Sequence, residues 1–388
     1  MTNPARCSIM GKKPKEPAMP PLSLLIKPAS GGCNVRCQYC FYRDEQQNRE
    51  TFSYGFMSEE TLEILIRKAL EYARGYCSFG FQGGEPTLRG LDFFRKAVEL
   101  QEKYNTRHVK IANSIQTNGL LLDGEWAQFL HDHHFLVGLS LDGVKEVHDQ
   151  NRLDAQGRGT FSRVLQAAQR LTARQVEFNL LTVVTNATAS NIAKIYRFFR
   201  RSGFLYQQYI PCLDPLGEPR GSSPYSLSPE KYGEFLKTLF DLWYQDVTAG
   251  RFIYIRTFEN LLGMLLGRPP EHCGLSGACA LQHVVEADGL VYPCDFYCLD
   301  QWRLGSIRES GFAELAQGER AARFLAQGGA GRAPCQGCRF FAICRGGCRR
   351  DREPLGAGGN YFCQAYQEFF AYALPRLREL AVAIQRGR

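Results

Sequence analysis

No stretch of this sequence approaches the ~20 consecutive apolar residues that a membrane-spanning helix needs, although 44% of its 388 residues are hydrophobic. Internal repeats and low-complexity tracts are also missing. An apolar share near the globular norm excludes intrinsic disorder, collagen and coiled coil. A secretory signal is missing too: Met1 to Ala18 carries Lys12, Lys13 and Lys15 with no apolar run behind them. Cytoplasmic residence is the expectation. Charge is not concentrated either. The net charge is +8, and the basic residues are dispersed, apart from Arg345, Arg349, Arg350 and Arg352 and a basic C-terminal helix. Without basic–aromatic clustering, neither nucleic acid nor a membrane surface is an expected partner.

What the chain has in excess is cysteine, fifteen in all. Disulfides are not expected in a reducing compartment, and the number is odd. Cys33, Cys37 and Cys40 are spaced C-x3-C-x2-C. Cys273, Cys279 and Cys294 open the C-terminal region, followed by Cys335, Cys338, Cys344, Cys348 and Cys363. Cys7, Cys77, Cys212 and Cys298 stand apart or duplicate a neighbour. The other eleven divide into three, four and four. Three thiolates are one short of a closed structural zinc site. On a [4Fe–4S] cube they leave one iron open to bind something else, and such an iron does chemistry. Tyr39, Phe41 and Tyr42 would shield that cluster from water. A zinc knuckle with a distant fourth ligand is the alternative for the triplet, and one or two zinc ribbons for the C-terminal cysteines. With the triplet present, iron–sulfur is favoured for both.

Pattern and capping signals predict a β/α alternation. Leu22 to Ile26 reads as a strand, and Ser58 caps a helix that starts with Glu59 and Glu60 and runs to about Ala73. Strands follow at Ser78–Phe81, Val109–Ile115, Phe135–Leu141, Glu177–Val184 and Leu205–Ile210. Helices lie between them at Leu91–Tyr104, Glu125–His131, Thr160–Gln175 and Ile192–Arg201. Six such units are too few for an eight-fold barrel, so an α/β fold with an open, partial (β/α)6 barrel is expected. The special residues fall at strand C-terminal ends, where such folds place their sites. A longer helix spans Ser228 to Gly250. A hairpin turns at Asp288-Gly289 within Val284–Tyr292, and a last helix spans Gln364 to about Ile384. The cysteine-rich remainder has little apolar periodicity, and metal sites would replace the missing core energy.

The cysteine triplet after the first strand resembles the signature of the radical S-adenosylmethionine (SAM) enzymes, and the C-terminal cysteines resemble their SPASM extension. Residues Pro20 to about Leu380 resemble an anaerobic sulfatase-maturating enzyme throughout. The resemblance is carried by Leu25-Ile26-Lys27-Pro28-Ala29-Ser30, Cys40-Phe41-Tyr42, Phe81-Gln82-Gly83-Gly84-Glu85-Pro86-Thr87 and Gln116-Thr117-Asn118-Gly119. It continues in Phe135 to Ser140, Tyr292-Pro293-Cys294-Asp295-Phe296-Tyr297 and Gly346-Gly347-Cys348-Arg349-Arg350.

The resemblance implies an oxidoreductase that converts a cysteine or serine of a nascent sulfatase to Cα-formylglycine. Its cofactors would be S-adenosylmethionine and three [4Fe–4S] clusters. Cys33, Cys37 and Cys40 would hold the SAM cluster, Cys273, Cys279, Cys294 and Cys348 one auxiliary cluster, and Cys335, Cys338, Cys344 and Cys363 the other. Full ligation makes the auxiliary clusters electron acceptors. Tyr39, Gly83, Gly84, Ser140, Arg152 and Leu213 would bind SAM, and Tyr42, Gln116 and Asn118 the substrate peptide. Asp295 would be the base, since the substrate must lose a proton after hydrogen abstraction. The partners implied are an unfolded sulfatase chain with a C/S-x-P/A-x-R motif and a flavodoxin or ferredoxin donor, with a monomeric enzyme. The domains would be a disordered extension 1–18, the radical SAM barrel 19–227, a helical linker 228–272, and the SPASM domain 273–388 with the C-terminal helix. The extension has no counterpart in the family; Met19 would then be the true start and Cys7 irrelevant. Cys298 lies four residues after a ligand and would compete for iron; with Cys77 and Cys212 it is read as a free thiol. Two rival readings are a SPASM maturase forming thioether crosslinks and a zinc-rich nucleic-acid-binding module. The extension is too short for the leader-binding domain that such maturases often carry.

Overall fold

The computed structural model describes residues 21–353 and 359–386. The expectations for the extension 1–18, including Cys7, and for Met19 lie outside them. Six strands run parallel and in chain order: Leu22–Ile26, Tyr76–Phe81, Lys110–Thr117, Leu136–Ser140, Phe178–Val184 and Tyr206–Pro211. Each crossover therefore returns to the neighbouring position, as short right-handed β/α connections do. The first and sixth strands do not pair with each other, which makes the barrel open.

The helices bury one stripe each. Glu59–Tyr72 turns Leu62, Leu65, Ile66 and Ala69 inward, the i, i+3, i+4 spacing of an amphipathic helix. Its Ser58 Oγ accepts from the Thr61 N–H at 3.1 Å, satisfying an otherwise orphaned donor. Ile192–Arg201 buries Ile192, Ile195, Tyr196 and Phe199 in the same way.

The expected Asp288-Gly289 hairpin is present: Val284–Val285 pairs antiparallel with Leu290–Tyr292, and Gly289 has φ +95°. It does not stand alone. Val284–Val285 pairs parallel with the first strand (Leu25 opposite Val284, Ile26 opposite Val285), and Gly305–Ser306 adds a further antiparallel strand. The ten-stranded sheet thus begins in the C-terminal region and continues through the barrel. This pairing covers the exposed edge of the first strand and brings Asp295 beside Lys27.

Helix Pro229–Thr248 and the final helix Cys363–Gln385 pack together through aromatic side chains. Phe369 meets Phe240 at 5.9 Å and Phe258 at 5.8 Å between ring centroids. The cysteine-rich region does hold a small apolar cluster, of Tyr297, Leu299, Trp302 and Phe324. No helix of the described residues is long and apolar enough to cross a membrane.

Candidate active site at the strand ends

Cys33, Cys37 and Cys40 lie in the loop after the first strand. Cys37 ends a short strand, Val35–Cys37, that pairs with Arg152–Asp154, and Cys40 is the residue preceding helix Phe41–Gln47. The Val35 N–H points at Cys33 Sγ at 3.4 Å, and Arg152 Nη1 stands 3.7 Å from Cys37 Sγ. Burial pushes the Cys33 and Cys37 thiols up to about 12; Glu85 adds to this at Cys33, while Arg152 opposes it at Cys37. Thiols held that way need a cation to become thiolates, which ligated iron supplies.

The other eight expected ligands lie in two neighbourhoods. Cys294 faces Cys348 and Cys273, and Cys348 faces Cys279. Cys344 faces Cys363, Cys335 and Cys338. Among the described residues, no three His, Cys, Asp or Glu side chains converge on a single-ion site. Tetrahedral zinc would bring sulfurs to about 3.8 Å of one another, from Zn–S bonds of about 2.3 Å. Soft thiol donors grouped in three, four and four fit iron–sulfur clusters.

The Gly83-Gly84 turn follows the second barrel strand, with φ of +85° and +57°. A Cβ on Gly84 would sit 2.3 Å from the Gly32 carbonyl oxygen, and one on Gly83 would sit 2.4 Å from Lys27 Cγ. The close approach that requires glycine here is therefore to the cysteine loop and to Lys27. Glu85, buried beneath the turn, accepts from Thr87 Oγ1 at 2.6 Å, Thr117 Oγ1 at 2.7 Å and the Asn118 N–H at 2.7 Å.

Arg152 is buried and donates through Nε to Asp142 Oδ2 at 2.8 Å. Tyr39 donates its hydroxyl to the same carboxylate. Burial alone would raise Asp142; Arg152, with His148 and Tyr39, outweighs it and holds the carboxyl below its usual range. Ser140 Oγ accepts from Gln116 Nε2 at 3.1 Å.

A cavity of about 540 Å³ opens between barrel and C-terminal region, lined in part by Gln82, Gln116, Leu213, Asp295, Cys273 and Cys348. Asp295 is buried. Its Oδ2 accepts from Tyr42 Oη at 2.7 Å and Gln82 Nε2 at 2.8 Å. Its Oδ1 has no hydrogen-bond partner and lies 3.8 Å from Lys27 Nζ. Burial raises the Asp295 carboxyl; Lys27 and Tyr42 oppose this, and Glu286 adds to it. Lys27 also faces Glu45 at 3.6 Å and Glu286 at 3.8 Å, and Arg49 pairs with Glu286 at 2.7 Å. Burial pushes Glu45 up to about 8 against the pull of Lys27. Burial would also raise Glu286, but Lys27 and Arg49 together hold it low.

Of the residues expected to touch the peptide, Gln116 lines the cavity. Tyr42 donates to Asp295, and Asn118 stands beside Cys33, with Nδ2 donating to Asn34 Oδ1 at 2.7 Å. Cys298 is a free thiol, as expected. It is fully buried, accepts from Lys27 Nζ at 3.1 Å, and its N–H donates to Glu45 Oε1 at 3.2 Å. Cys77 and Cys212 are buried free thiols, as expected. Lys27, Glu45, Gln82, Asp142 and Glu286 were not among the expected site residues. For Lys27 and Glu286 the signal was a charge ending an apolar strand run, Leu24-Leu25-Ile26-Lys27 and Val284-Val285-Glu286.

The radical SAM superfamily model matches residues 28–199, and the iron–sulfur cluster-binding SPASM domain model matches residues 278–339. The cysteine-type anaerobic sulfatase-maturating enzyme of Clostridium perfringens is 50% identical over 366 residues, 94% of this chain and 99% of that protein. The serine-type anaerobic sulfatase-maturating enzyme of Bacteroides thetaiotaomicron is 32% identical over 379 residues, 92% of this chain and 91% of that protein. Native anSMEcpe solved with bound AdoMet and the Cp18Cys peptide matches with a TM-score of 0.90 at 50% identity, over 94% of this chain and 100% of that one.

Proposed function

Because the chain belongs to the anaerobic sulfatase-maturating enzymes, radical SAM oxidoreductases with a SPASM domain, we propose that it oxidises a cysteine of an unfolded sulfatase to Cα-formylglycine. The cysteine preference rests on the 50% identity to a cysteine-type enzyme, against 32% to a serine-type one. The observation that carries the reading is Asp295: a buried carboxylate on the cavity wall, its Oδ2 fixed by Tyr42 and Gln82 and its Oδ1 without a hydrogen-bond donor.

When bound, S-adenosylmethionine and its cluster supply hydrogen-atom abstraction, and the auxiliary clusters supply one-electron acceptance. Cys33, Cys37 and Cys40 hold the SAM cluster. Arg152 meets the SAM carboxylate with a charge-assisted bond, its guanidinium oriented by Asp142. Gly83-Gly84 and Ser140 contact the methionine and ribose portions, and Tyr39 and Leu213 border the adenine. Gln116 holds the peptide backbone. Asp295 Oδ1 takes the proton of the substrate thiol. In all, the substrate Cβ–SH unit loses one hydrogen atom, one proton and one electron and becomes a thioaldehyde. Water then replaces sulfide to give the aldehyde. Phe41 and Phe296, edge to face at 4.9 Å, screen this end of the cavity from water.

In this reading residues 19–227 carry SAM, 228–272 connect, and 273–388 hold both auxiliary clusters. The substrate presents C-x-P/A-x-R, a flavodoxin or ferredoxin supplies the electron, and the enzyme works as a cytoplasmic monomer.

The test is anaerobic turnover of the cluster-loaded protein with SAM, reductant and paired peptides carrying Cys or Ser in that motif. Mass spectrometry should show the aldehyde from the Cys peptide, with 5′-deoxyadenosine. SAM cleavage with both peptides unchanged overturns the assignment.

A further inference from the structure

Arg352 is 2% exposed, and its side chain makes four hydrogen bonds, all to backbone carbonyls. Nη1 donates to Gly346 at 2.9 Å and Gly347 at 2.6 Å, Nη2 to Gly328 at 2.7 Å, and Nε to Ala330 at 2.8 Å. Those carbonyls belong to two loops, one lying between cysteines of different groups and the other packed on a cysteine of a third segment. Gly346-Gly347 is the turn between Cys344 and Cys348, with φ of +90° and +70°. Gly328 packs on Cys279 so tightly that a Cβ there would meet its Sγ at 3.0 Å. The guanidinium faces the thiols of Cys348 and Cys279 from one group and of Cys335 from the other.

Its hydrogen bonds are satisfied, but its charge is not. Among the described residues Arg352 forms no ion pair with an acid. Glu353 pairs with Arg349 at 3.5 Å and Arg350 at 3.8 Å. Asp351 is nearest to Arg220, at 3.8 Å, and its field is shared among Arg220, Arg350 and Arg352. Residues 354–358 contain no acid. Arg332 adds a second positive charge on the same side, facing Cys279 and Cys335. Nη2 of Arg332 donates to the Gly328 carbonyl at 3.1 Å, and its buried Nε has no acceptor. A buried cation without a partner anion is costly. Two anionic, thiolate-ligated clusters would provide the missing countercharge.

We propose that Arg352, backed by Arg332, is the shared countercharge of the two auxiliary clusters, a positioning residue that raises the reduction potentials of both. This rests on the reading of the eight C-terminal cysteines as auxiliary cluster ligands. An auxiliary cluster that accepted the substrate's electron would become more negative by one unit, while Asp295 takes the proton. A fixed positive charge beside the clusters stabilises the more negative, reduced state and so favours that transfer.

The test is a potentiometric titration of the cluster-loaded protein followed by electron paramagnetic resonance, with iron and sulfide counted. Arg352→Met should shift both auxiliary signals to lower potential and leave the SAM-cluster signal in place as an internal control. Arg352→Lys, which keeps the charge without the four-carbonyl clamp, should titrate near the parent. Full iron content with unshifted auxiliary potentials in Arg352→Met overturns the proposal, as does Arg352→Lys shifting as far as Arg352→Met. If Arg352→Met loses iron, Arg332→Gln decides: a downward shift supports the countercharge role, and none overturns it. No peptide is present, so the outcome is independent of the substrate assignment.

Discussion

Lys27 Nζ and Asp295 Oδ1 face each other at 3.8 Å across the seam where the first strand meets the C-terminal hairpin. One residue directly follows strand Leu22–Ile26, and the other follows strand Leu290–Tyr292 by three positions. The lysine is shared with Glu45 and Glu286, so the cavity carboxylate belongs to a buried set of three acids and two cations. The second cation is Arg49.

Removing the base while keeping its shape separates the two halves of the reaction. Asp295→Asn should still cleave SAM but should lower aldehyde formation by about 10²- to 10⁴-fold, the usual contribution of a positioned proton acceptor. Parallel quantification of 5′-deoxyadenosine and peptide aldehyde checks this, and equal losses in both would remove Asp295 from that role.

Lys27→Met leaves three buried carboxylates with one cation. Breaking such a network from one side costs about 3–5 kcal/mol. Anaerobic urea denaturation should show a midpoint lowered to match, and an unchanged midpoint would mean that the acids find other compensation.

His148 gives the stability a pH dependence. It is fully buried, accepts from the Asp142 N–H through Nδ1 at 3.2 Å, and lies 2.9 Å from Thr160 Oγ1 through Nε2. Burial lowers its pKa from 6.5 to about 4, against the pull of Asp142. The unfolded chain then binds the extra proton first, so stability is full above pH 6.5 and falls as pH drops toward 4. Between pH 6.5 and 5 the loss should be about 2 kcal/mol. A His148→Gln variant, titrated by urea midpoint at each pH, should lose that part of the slope.

Gly84→Ala tests the cysteine loop. The new methyl would meet the Gly32 carbonyl oxygen at 2.3 Å, with φ already at +57°. The loop carrying Cys33 must move, so iron analysis should show one cluster lost and the auxiliary clusters retained. Full iron with unaltered SAM binding would show that the turn yields without strain.

Much of this architecture was legible because its signals are local. The Ser58 cap, the apolar stripe of Leu91–Tyr104 and the amphipathic Ile192–Arg201 each announce a helix within a few residues, and their observed bounds agree. The grouping of the C-terminal cysteines could be carried over from a motif. The pairing of Val284–Val285 with Leu22–Ile26 could not, because strands so far apart in sequence leave no short-range trace of each other. The short helices Phe312–Gln317 and Glu319–Gln327 also escaped, being too brief for a periodicity to register. Cys298 is the free thiol that the sequence suggested, but spacing leaves no trace of its contact with Lys27, which makes it part of a charge network.

The parallel pairing of Val284–Val285 onto the first strand also sets an order of assembly. Chains fold from the N-terminus as they are made, and the six barrel strands and the cysteine triplet all lie before residue 212. A growing chain therefore carries its hydrogen-abstracting half well before Asp295 has been synthesised. The proton acceptor arrives later, just after the hairpin that covers the edge of the first strand, and five of the C-terminal cysteines arrive later still. Until then the emerging barrel has an open edge and no proton acceptor, so covering that edge also delivers the carboxylate that the oxidation needs.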